Sequence, residues 1–166
     1  MPITADYHLH TLHSGDCETK MEDVIQEAIK KGLTHIAFTE HNDFDYPTAP
    51  DEPEDMFLLN VDSYLYELLG LRGKYQDQIR IQFGIEIGLQ KECVRKNAIL
   101  AKSHEFDFII ASSHVLNGID PYYGKFYEGR DEVEANREFF SSIYENIKAM
   151  PNFDVLHSMP FSFSIR

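Results

Sequence analysis

Two hydrophobic patterns follow one another in turn along the chain. Short apolar runs, typical of buried strands, occupy residues 3–10, 33–39, 80–87, 106–112 and 153–156. Between them, apolar residues recur every three or four positions and predict helices over residues 20–31, 61–75, 93–104 and 131–150. Helical segments between consecutive strands favour parallel pairing, so the chain is predicted to have an α/β fold with a five-stranded parallel sheet or barrel.

Polar loops account for most of the remaining sequence. Residues 43–55, DFDYPTAPDEPED, are rich in proline and acidic residues and are predicted to form a loop, with the DEPED run in solvent. A second long loop is predicted over residues 116–130. No internal repeat and no linker divides the sequence, which indicates a single domain over residues 1–166.

Side chains that can bind metal ions stand at the end of every predicted strand. In chain order these are His8 and His10, Glu40 and His41, Glu86, His114, and His157. Residues two apart in a strand share a face, so His8 and His10 can bind one cation together. Ligands of parallel α/β folds lie at the carboxyl ends of the strands, and the recurrence over five strands therefore predicts a metal site there.

The types of ligand narrow the choice of metal. Imidazoles and carboxylates without a cysteine cluster suit zinc, iron or manganese better than a structural thiolate site. Glu86 has two oxygens with which it could bridge two cations, and Asp16, in the loop after the first strand, could reach a further one.

Charge and cysteine content restrict the partners. The formal net charge of −13 argues against a nucleic-acid-binding protein with a basic surface, and a phosphorylated substrate would need bound cations to reverse the local field. The sequence has no recognisable secretory signal and no apolar run of membrane-spanning length. With Cys17 and Cys93 as the two cysteines, it is typical of a cytoplasmic protein.

Four motifs carry a family resemblance. HLHTLHSGD, AFTEHND, FGIEIG and IASSHV, in this order, resemble the PHP (polymerase and histidinol phosphatase) superfamily, and within it the monofunctional histidinol-phosphatase group. The resemblance covers about residues 5–156. It implies a distorted (β/α)7 barrel, here with about five strands, and three divalent cations. The implied reaction is hydrolysis of L-histidinol phosphate, a small phosphorylated substrate, in histidine biosynthesis.

The same resemblance implies how the cations are shared among the strand-end residues. The first would be bound by His8 and His10, the second by His114 and His157, and the third by Asp16 and His41, with Glu86 bridging the first two.

Glu86 and His114 are the predicted catalytic residues. Asp6 and Glu40 are expected to contact the metal ligands through hydrogen bonds rather than to bind metal themselves.

The end of the sequence departs from the family pattern. VLHSMPFSFSIR lacks the family's glycine before His157 and the aspartate that follows it. Family members continue for about another hundred residues, which supply two more strands and an Asp-x-His pair. We therefore expect an incomplete PHP domain, truncated or frameshifted near His157, with weakened metal binding.

Three alternatives remain open from the sequence. A related PHP enzyme could act on another phosphate ester. An amidohydrolase barrel also begins with His-x-His, but that class usually places a bridging lysine where this chain has Glu86. A non-catalytic fragment, lacking the last metal ligands, is the third.

Overall fold

The structure, a computed structural model, describes residues 3–50, 52–122 and 124–158. Within these residues strands and helices alternate in the order β1 (Ala5–Leu9), α1 (Met21–Lys30), β2 (His35–Asn42), α2 (Val61–Tyr75), β3 (Arg80–Gly88), α3 (Val94–Leu100), β4 (Phe108–Ser112), α4 (Glu132–Ala149) and β5 (Val155–His157). Short 3-10 helices span Lys91–Cys93 and Gly124–Tyr127. The predicted alternation is confirmed, whereas the segment 159–166, where the family pattern is lost, lies outside the described residues.

The five strands form one parallel sheet in the order in which they occur in the chain, with β3 in the centre. This sequential order is that of a (β/α) barrel wall and differs from the reversed order of a doubly wound sheet. The predicted fold class, about five strands of a barrel, is therefore confirmed. No helix in the described ranges is long and apolar enough to cross a membrane.

Several boundaries differ from the prediction in ways that affect the site. Strand β2 continues to Asn42 rather than ending at residue 39, so Glu40 and His41 lie inside it. Helix α3 spans seven residues instead of the predicted twelve. The Ser103 hydroxyl donates a hydrogen bond to the carbonyl of Leu100 at 2.8 Å, which satisfies an acceptor that a longer helix would have used.

The main core lies between the helices and one face of the sheet. Strand β3 contributes alternate apolar residues to it, namely Ile81, Phe83, Ile85 and Ile87. Tyr64 of α2 is fully buried against this face and donates its hydroxyl to the carbonyls of Phe38 and Gly84, at 2.9 and 3.0 Å. Because side chains alternate along a strand, the residues between these positions, including Glu86, point to the opposite face.

Candidate metal centre

The register of the sheet brings the strand-end residues together on the face opposite the core. Glu86 in β3 is the direct neighbour of His41 in β2, and both alternate with core residues. His114 follows β4 by two residues, and His157 is the last residue of β5. The predicted strand ends thus meet at one edge of the sheet.

One oxygen of Glu86 faces the first two strands. Its Oε2 lies 2.9 Å from His8 Nε2, 3.3 Å from His10 Nε2 and 3.3 Å from His41 Nδ1. The imidazole rings are also in contact, since His10 and His41 stack with centroids 4.3 Å apart. His8 and His10 therefore share a face, as the sequence predicts.

The other oxygen of Glu86 faces the last two strands. Its Oε1 lies 3.3 Å from His114 Nε2 and 3.6 Å from His157 Nδ1, and it accepts a hydrogen bond from the buried Ser112 hydroxyl. The two oxygens thus contact separate sets of histidines. Ser112 is a site residue that the sequence analysis missed, although it lies two residues before His114 and therefore on the same face.

The charge of Glu86 depends on these neighbours. Its carboxylate is 1% exposed, and burial alone would raise its pKa. The imidazoles of His10, His114, His157 and His8, which lie against its two oxygens, outweigh burial, so the pKa of Glu86 is lowered and the carboxylate stays ionised. A buried carboxylate with two oxygens, each facing imidazole nitrogens, is a suitable bridging ligand for two cations.

Asp43 belongs to the site, although the sequence analysis assigned it to a loop. It is 2% exposed, and its Oδ1 accepts a hydrogen bond from His114 Nδ1 at 2.8 Å. A Cβ at Gly88 would overlap Oδ1 of Asp43 and lie 2.5 Å from its Cγ, so only glycine leaves room for this carboxylate. The sequence did contain a signal for Asp43, because it follows His41 by two residues, the spacing of side chains that share one face of a strand.

The donor atoms fit divalent cations. Three groups of ligand atoms have all their members within 4.8 Å of one another: His8, Glu86 and His157; His10, His41 and Glu86; and His41, Asp43 and His114. Of the described residues, none offers a hydrogen-bond partner to the buried His41 Nδ1 or Asp43 Oδ2. Unpaired buried donors and acceptors are costly, and a metal ion would satisfy both atoms.

Burial opposes protonation of both His41 and His114, but nearby carboxylates outweigh it. The Asp43 and Glu86 carboxylates raise the pKa of His114 well above its ordinary value. Asp16, Glu86 and Asp43 raise the pKa of His41. The predicted pair Asp16 and His41 is brought together, with Oδ2 3.5 Å from Nε2, and the hydrogen bond with His41 lowers the pKa of Asp16.

The two residues expected to support the ligands occupy different places. Asp6 is half-buried, and its Oδ1 accepts the backbone N–H of His8 at 3.2 Å. Glu40 is fully buried and accepts three hydrogen bonds from Thr11 and Ser14, in the loop between β1 and α1. Glu40 therefore contacts the site through Ser14, whose hydroxyl lies 3.2 Å from His10 Nδ1.

A cavity of about 530 Å³ opens over the histidine cluster. Aromatic residues extend its lining away from the cluster: Phe57 lies beside His41, with centroids 5.6 Å apart, and Tyr46 packs against Phe57 at 4.5 Å. The Tyr46 hydroxyl donates to Asp120 Oδ2 at 2.5 Å. The cavity thus has a cation-binding part and an aromatic part that contains one carboxylate.

Residues 6–159 match the family model of the PHP domain. The chain is 33% identical over 150 residues to a histidinol-phosphatase of Lactococcus lactis subsp. lactis (strain IL1403), covering 90% of this chain and 54% of that protein. A probable histidinol-phosphatase of Clostridium acetobutylicum is 31% identical over 151 residues, covering 91% and 55%. The chain therefore spans about half the length of the curated relatives it matches.

The fold is similar to that of a solved relative. A crystal structure of histidinol phosphate phosphatase from Lactococcus lactis, complexed with zinc, L-histidinol and phosphate, superposes with a TM-score of 0.85 and 32% identity. The match covers 93% of this chain and 57% of that one. The similarity agrees with the sequential parallel sheet described above.

Proposed function

Because the chain belongs to the PHP domain family, we propose that its histidine cluster is the metal centre of a phosphomonoesterase that hydrolyses L-histidinol phosphate. The observation that carries this proposal is the set of five imidazoles around Glu86, together with two buried metal-binding atoms that have no hydrogen-bond partner within the described part of the chain. Zinc is the metal that we expect first, because the solved Lactococcus relative contains zinc. Manganese and iron suit the same ligands.

Three cations are proposed because the ligand atoms form three groups. Glu86 would bridge the first two, since Oε2 faces His8 and His10 while Oε1 faces His114 and His157. This division follows the assignment that the family resemblance implies. The three groups of neighbouring atoms do not match this division, because they place His8 with His157 and not with His10. The assignment of each residue to one cation therefore stays a prediction.

Electrostatics makes the proposed activity depend on metal. The carboxylates of Asp16, Asp43, Glu86 and Asp120 all line the cavity, in a protein with a net charge of −13, and would repel a phosphate dianion. Divalent cations, when bound, neutralise the phosphate oxygens and lower the pKa of a bound water, so that hydroxide is available near neutral pH. Asp43 fixes the ring of His114 through Nδ1 and leaves Nε2 facing Glu86, which is the geometry that a ligand on this side needs.

The aromatic part of the cavity is proposed to bind the leaving group. Phe57 and Tyr46 provide flat apolar surfaces on which an imidazole ring can pack. Asp120 carries a negative charge on the same wall and can pair with an ammonium or imidazolium group. L-Histidinol phosphate has both a ring and an amine, and its phosphate would then lie over the cations.

As part of the same proposal, the reaction would serve histidine biosynthesis in the cytoplasm, with no nucleic-acid partner. The acidic net charge supports the last point, and the free thiols of Cys17 and Cys93 suit a reducing compartment. The assignment of residues 1–166 to one incomplete PHP domain likewise stays a prediction. Because relatives are nearly twice as long, metal binding and turnover by this chain need separate measurements.

The experiment compares Glu86→Gln with Glu67→Gln. Glu67 also contacts a histidine, with Oε2 2.8 Å from His13 Nε2, but lies outside the cluster and is a matched control. Zinc content and phosphate release from L-histidinol phosphate are measured for each. We expect Glu86→Gln to lose metal and to reduce phosphate release by more than about 100-fold, beyond the loss seen for partners of metal ligands, while Glu67→Gln is unchanged. Release by Glu86→Gln at the wild-type rate would contradict the proposal, and zinc binding without release by the wild-type chain would favour a non-catalytic fragment.

The substrate is tested through Asp120. Asp120→Asn should raise KM for L-histidinol phosphate while leaving hydrolysis of p-nitrophenyl phosphate, which has no cationic group, nearly unchanged. An equal loss for both substrates would argue against Asp120 as the residue that recognises the leaving group.

A further inference from the structure

Glu40 is a fully buried carboxylate that lies beside the metal centre without contributing to its three groups of ligand atoms. Its Oε2 accepts the backbone N–H of Thr11 at 2.9 Å and the hydroxyl of Ser14 at 2.6 Å, while Oε1 accepts the hydroxyl of Thr11 at 2.6 Å. Three short hydrogen bonds at a buried position fix both the carboxylate and the loop that follows β1. The Ser14 bond matters most for the site.

The direction of the Ser14 hydrogen bonds follows from their partners. A hydroxyl has one hydrogen and two lone pairs. The hydrogen of Ser14 goes to Glu40, whose Oε2 accepts it at 2.6 Å. One lone pair accepts the backbone N–H of His41 at 3.0 Å, because a backbone N–H can only donate. The remaining lone pair faces His10 Nδ1 at 3.2 Å, so this nitrogen must carry the ring hydrogen.

We infer that Glu40 and Ser14 are positioning residues that hold neutral His10 in the tautomer whose Nε2 is free to bind a cation. A ligand histidine needs a lone pair on the nitrogen that binds the metal, and the hydrogen bond at the other nitrogen sets the tautomer. In His10 the free nitrogen is then Nε2, which lies 3.3 Å from Glu86 Oε2 inside the cluster. In this tautomer the lone pair of Nε2 and the Glu86 carboxylate face each other and can bind the same cation. The cation is that of the proposed function, on which this step rests.

The same network couples the two first strands. Ser14 contacts the ring of His10 and the backbone of His41, whose rings stack on each other. Glu40 precedes His41 in β2 and points to the opposite face, because side chains alternate along a strand. The Glu40 carboxylate, on one face of the sheet, thus sets the tautomer of His10, whose ring lies with the histidine cluster on the other face.

The first test is the tautomer of His10 in the metal-free protein, which does not depend on catalysis or metal binding. Long-range ¹H–¹⁵N correlation spectra distinguish the two neutral forms, at a pH above which the ring shifts no longer change. The His10 signals are identified by their loss in His10→Gln. We expect the Nδ1–H form in the wild-type chain and the Nε2–H form, which free imidazole side chains favour, in Ser14→Ala. An Nε2–H ring in the wild-type chain would overturn the inference even if Ser14→Ala failed to fold.

Two further variants distinguish loss of the positioning contact from a general disturbance of the fold. Ser113→Ala is a matched control, because the Ser113 hydroxyl is also buried but has no hydrogen-bond partner among the residues described. Glu40→Gln should preserve the tautomer, since the backbone N–H of Thr11 and the Ser14 hydroxyl both require an oxygen at the same position. An Nδ1–H ring that persists in Ser14→Ala would contradict the inference.

The second test is zinc affinity, measured by competition with a chelator. Ser14→Ala should weaken zinc binding by about tenfold, the lower end of the range for residues that orient metal ligands, and Ser113→Ala should not. Equal affinities for Ser14→Ala and wild type would refute the positioning role. If the wild-type chain bound no zinc, the proposed function would fail, whereas the His10 tautomer would still be decided by the spectra.

Discussion

Replacing Asp43 by asparagine should weaken zinc binding by about tenfold. The Asp43 carboxylate accepts a hydrogen bond from His114 Nδ1 at 2.8 Å and is 2% exposed, so water cannot replace it. A hydrogen bond to a charged group contributes about 1.5–3 kcal/mol and one between neutral groups about 0.5–1.5 kcal/mol. The difference of roughly 1–1.5 kcal/mol corresponds to about tenfold in affinity. Asp43→Ala also removes the oxygen that accepts the hydrogen bond from His114, and it should lower the zinc affinity by up to about 100-fold.

The assay is competition between the protein and a chromophoric zinc chelator at fixed pH and salt. Asp45→Asn is the matched control, because Asp45 is exposed and its carboxylate pairs with Lys96 at 2.7 Å, away from the histidines. Asp45 has a φ of 55°, a conformation that asparagine also adopts readily. The control therefore removes the same charge two residues along without straining the backbone.

Two results would refute this reasoning. Wild-type zinc affinity in both Asp43 variants would show that the carboxylate neither binds metal nor orients His114. An equal loss in Asp45→Asn would show that the effect comes from the overall charge of the loop rather than from the contact with His114.

The remaining predictions concern the same centre and one buried thiol. Gly88→Ala should weaken zinc binding by a similar factor to Asp43→Asn, because the new Cβ displaces the Asp43 carboxylate; unchanged affinity would contradict this role. Zinc at about 100 times its Kd should add about 2.7 kcal/mol to the free energy of unfolding and raise the melting temperature by roughly 5–10 °C, with reversal by a chelator; no shift would argue against a site in the folded state. Cys93 is fully buried, and burial together with Asp45 raises the pKa of its thiol to about 11, so at pH 8 iodoacetamide should label the partly exposed Cys17 and not Cys93, as peptide mass spectrometry would show. Labelling of both at equal rates would contradict the burial of Cys93, and labelling of both in urea is the control.

Local sequence patterns were enough to predict the order of elements and to identify most of the side chains that cluster around Glu86. Apolar runs and helical spacing are properties of short segments, and a histidine or carboxylate at the carboxyl end of a strand is adjacent in sequence to its own strand. His8, His10, His41, His114 and His157 are brought around Glu86 as this reasoning expects. Element ends were less accurate, as β2 shows, because the pairing of β2 with β3 extends to Asn42 and only a neighbouring strand can provide those hydrogen bonds.

The residues that the sequence analysis missed or left undefined depend on contacts between distant parts of the chain. Asp43 looked like the first residue of an acidic loop, and only the approach of His114, 71 positions later, together with the space beside Gly88, makes it part of the centre. Glu40 looked like a neighbour of His41, but it lies on the other face of β2 and acts through Ser14.

The sequence by itself determined which side chains follow each apolar run, because the run and the residues after it are adjacent in the chain. The tertiary structure decided how those ends are aligned. Strand β1 contains a bulge between Asp6 and Leu9: Asp6 pairs with Ile36 and Leu9 with Phe38, so β1 has one residue more than β2 over this stretch. Nothing in the alternation of ADYHL predicts this extra residue. Register, bulges and the hydrogen-bond partners of ring nitrogens depend on packing between segments far apart in sequence. For that reason the clustered side chains were predictable from the sequence, whereas the hydrogen-bond network around them was not.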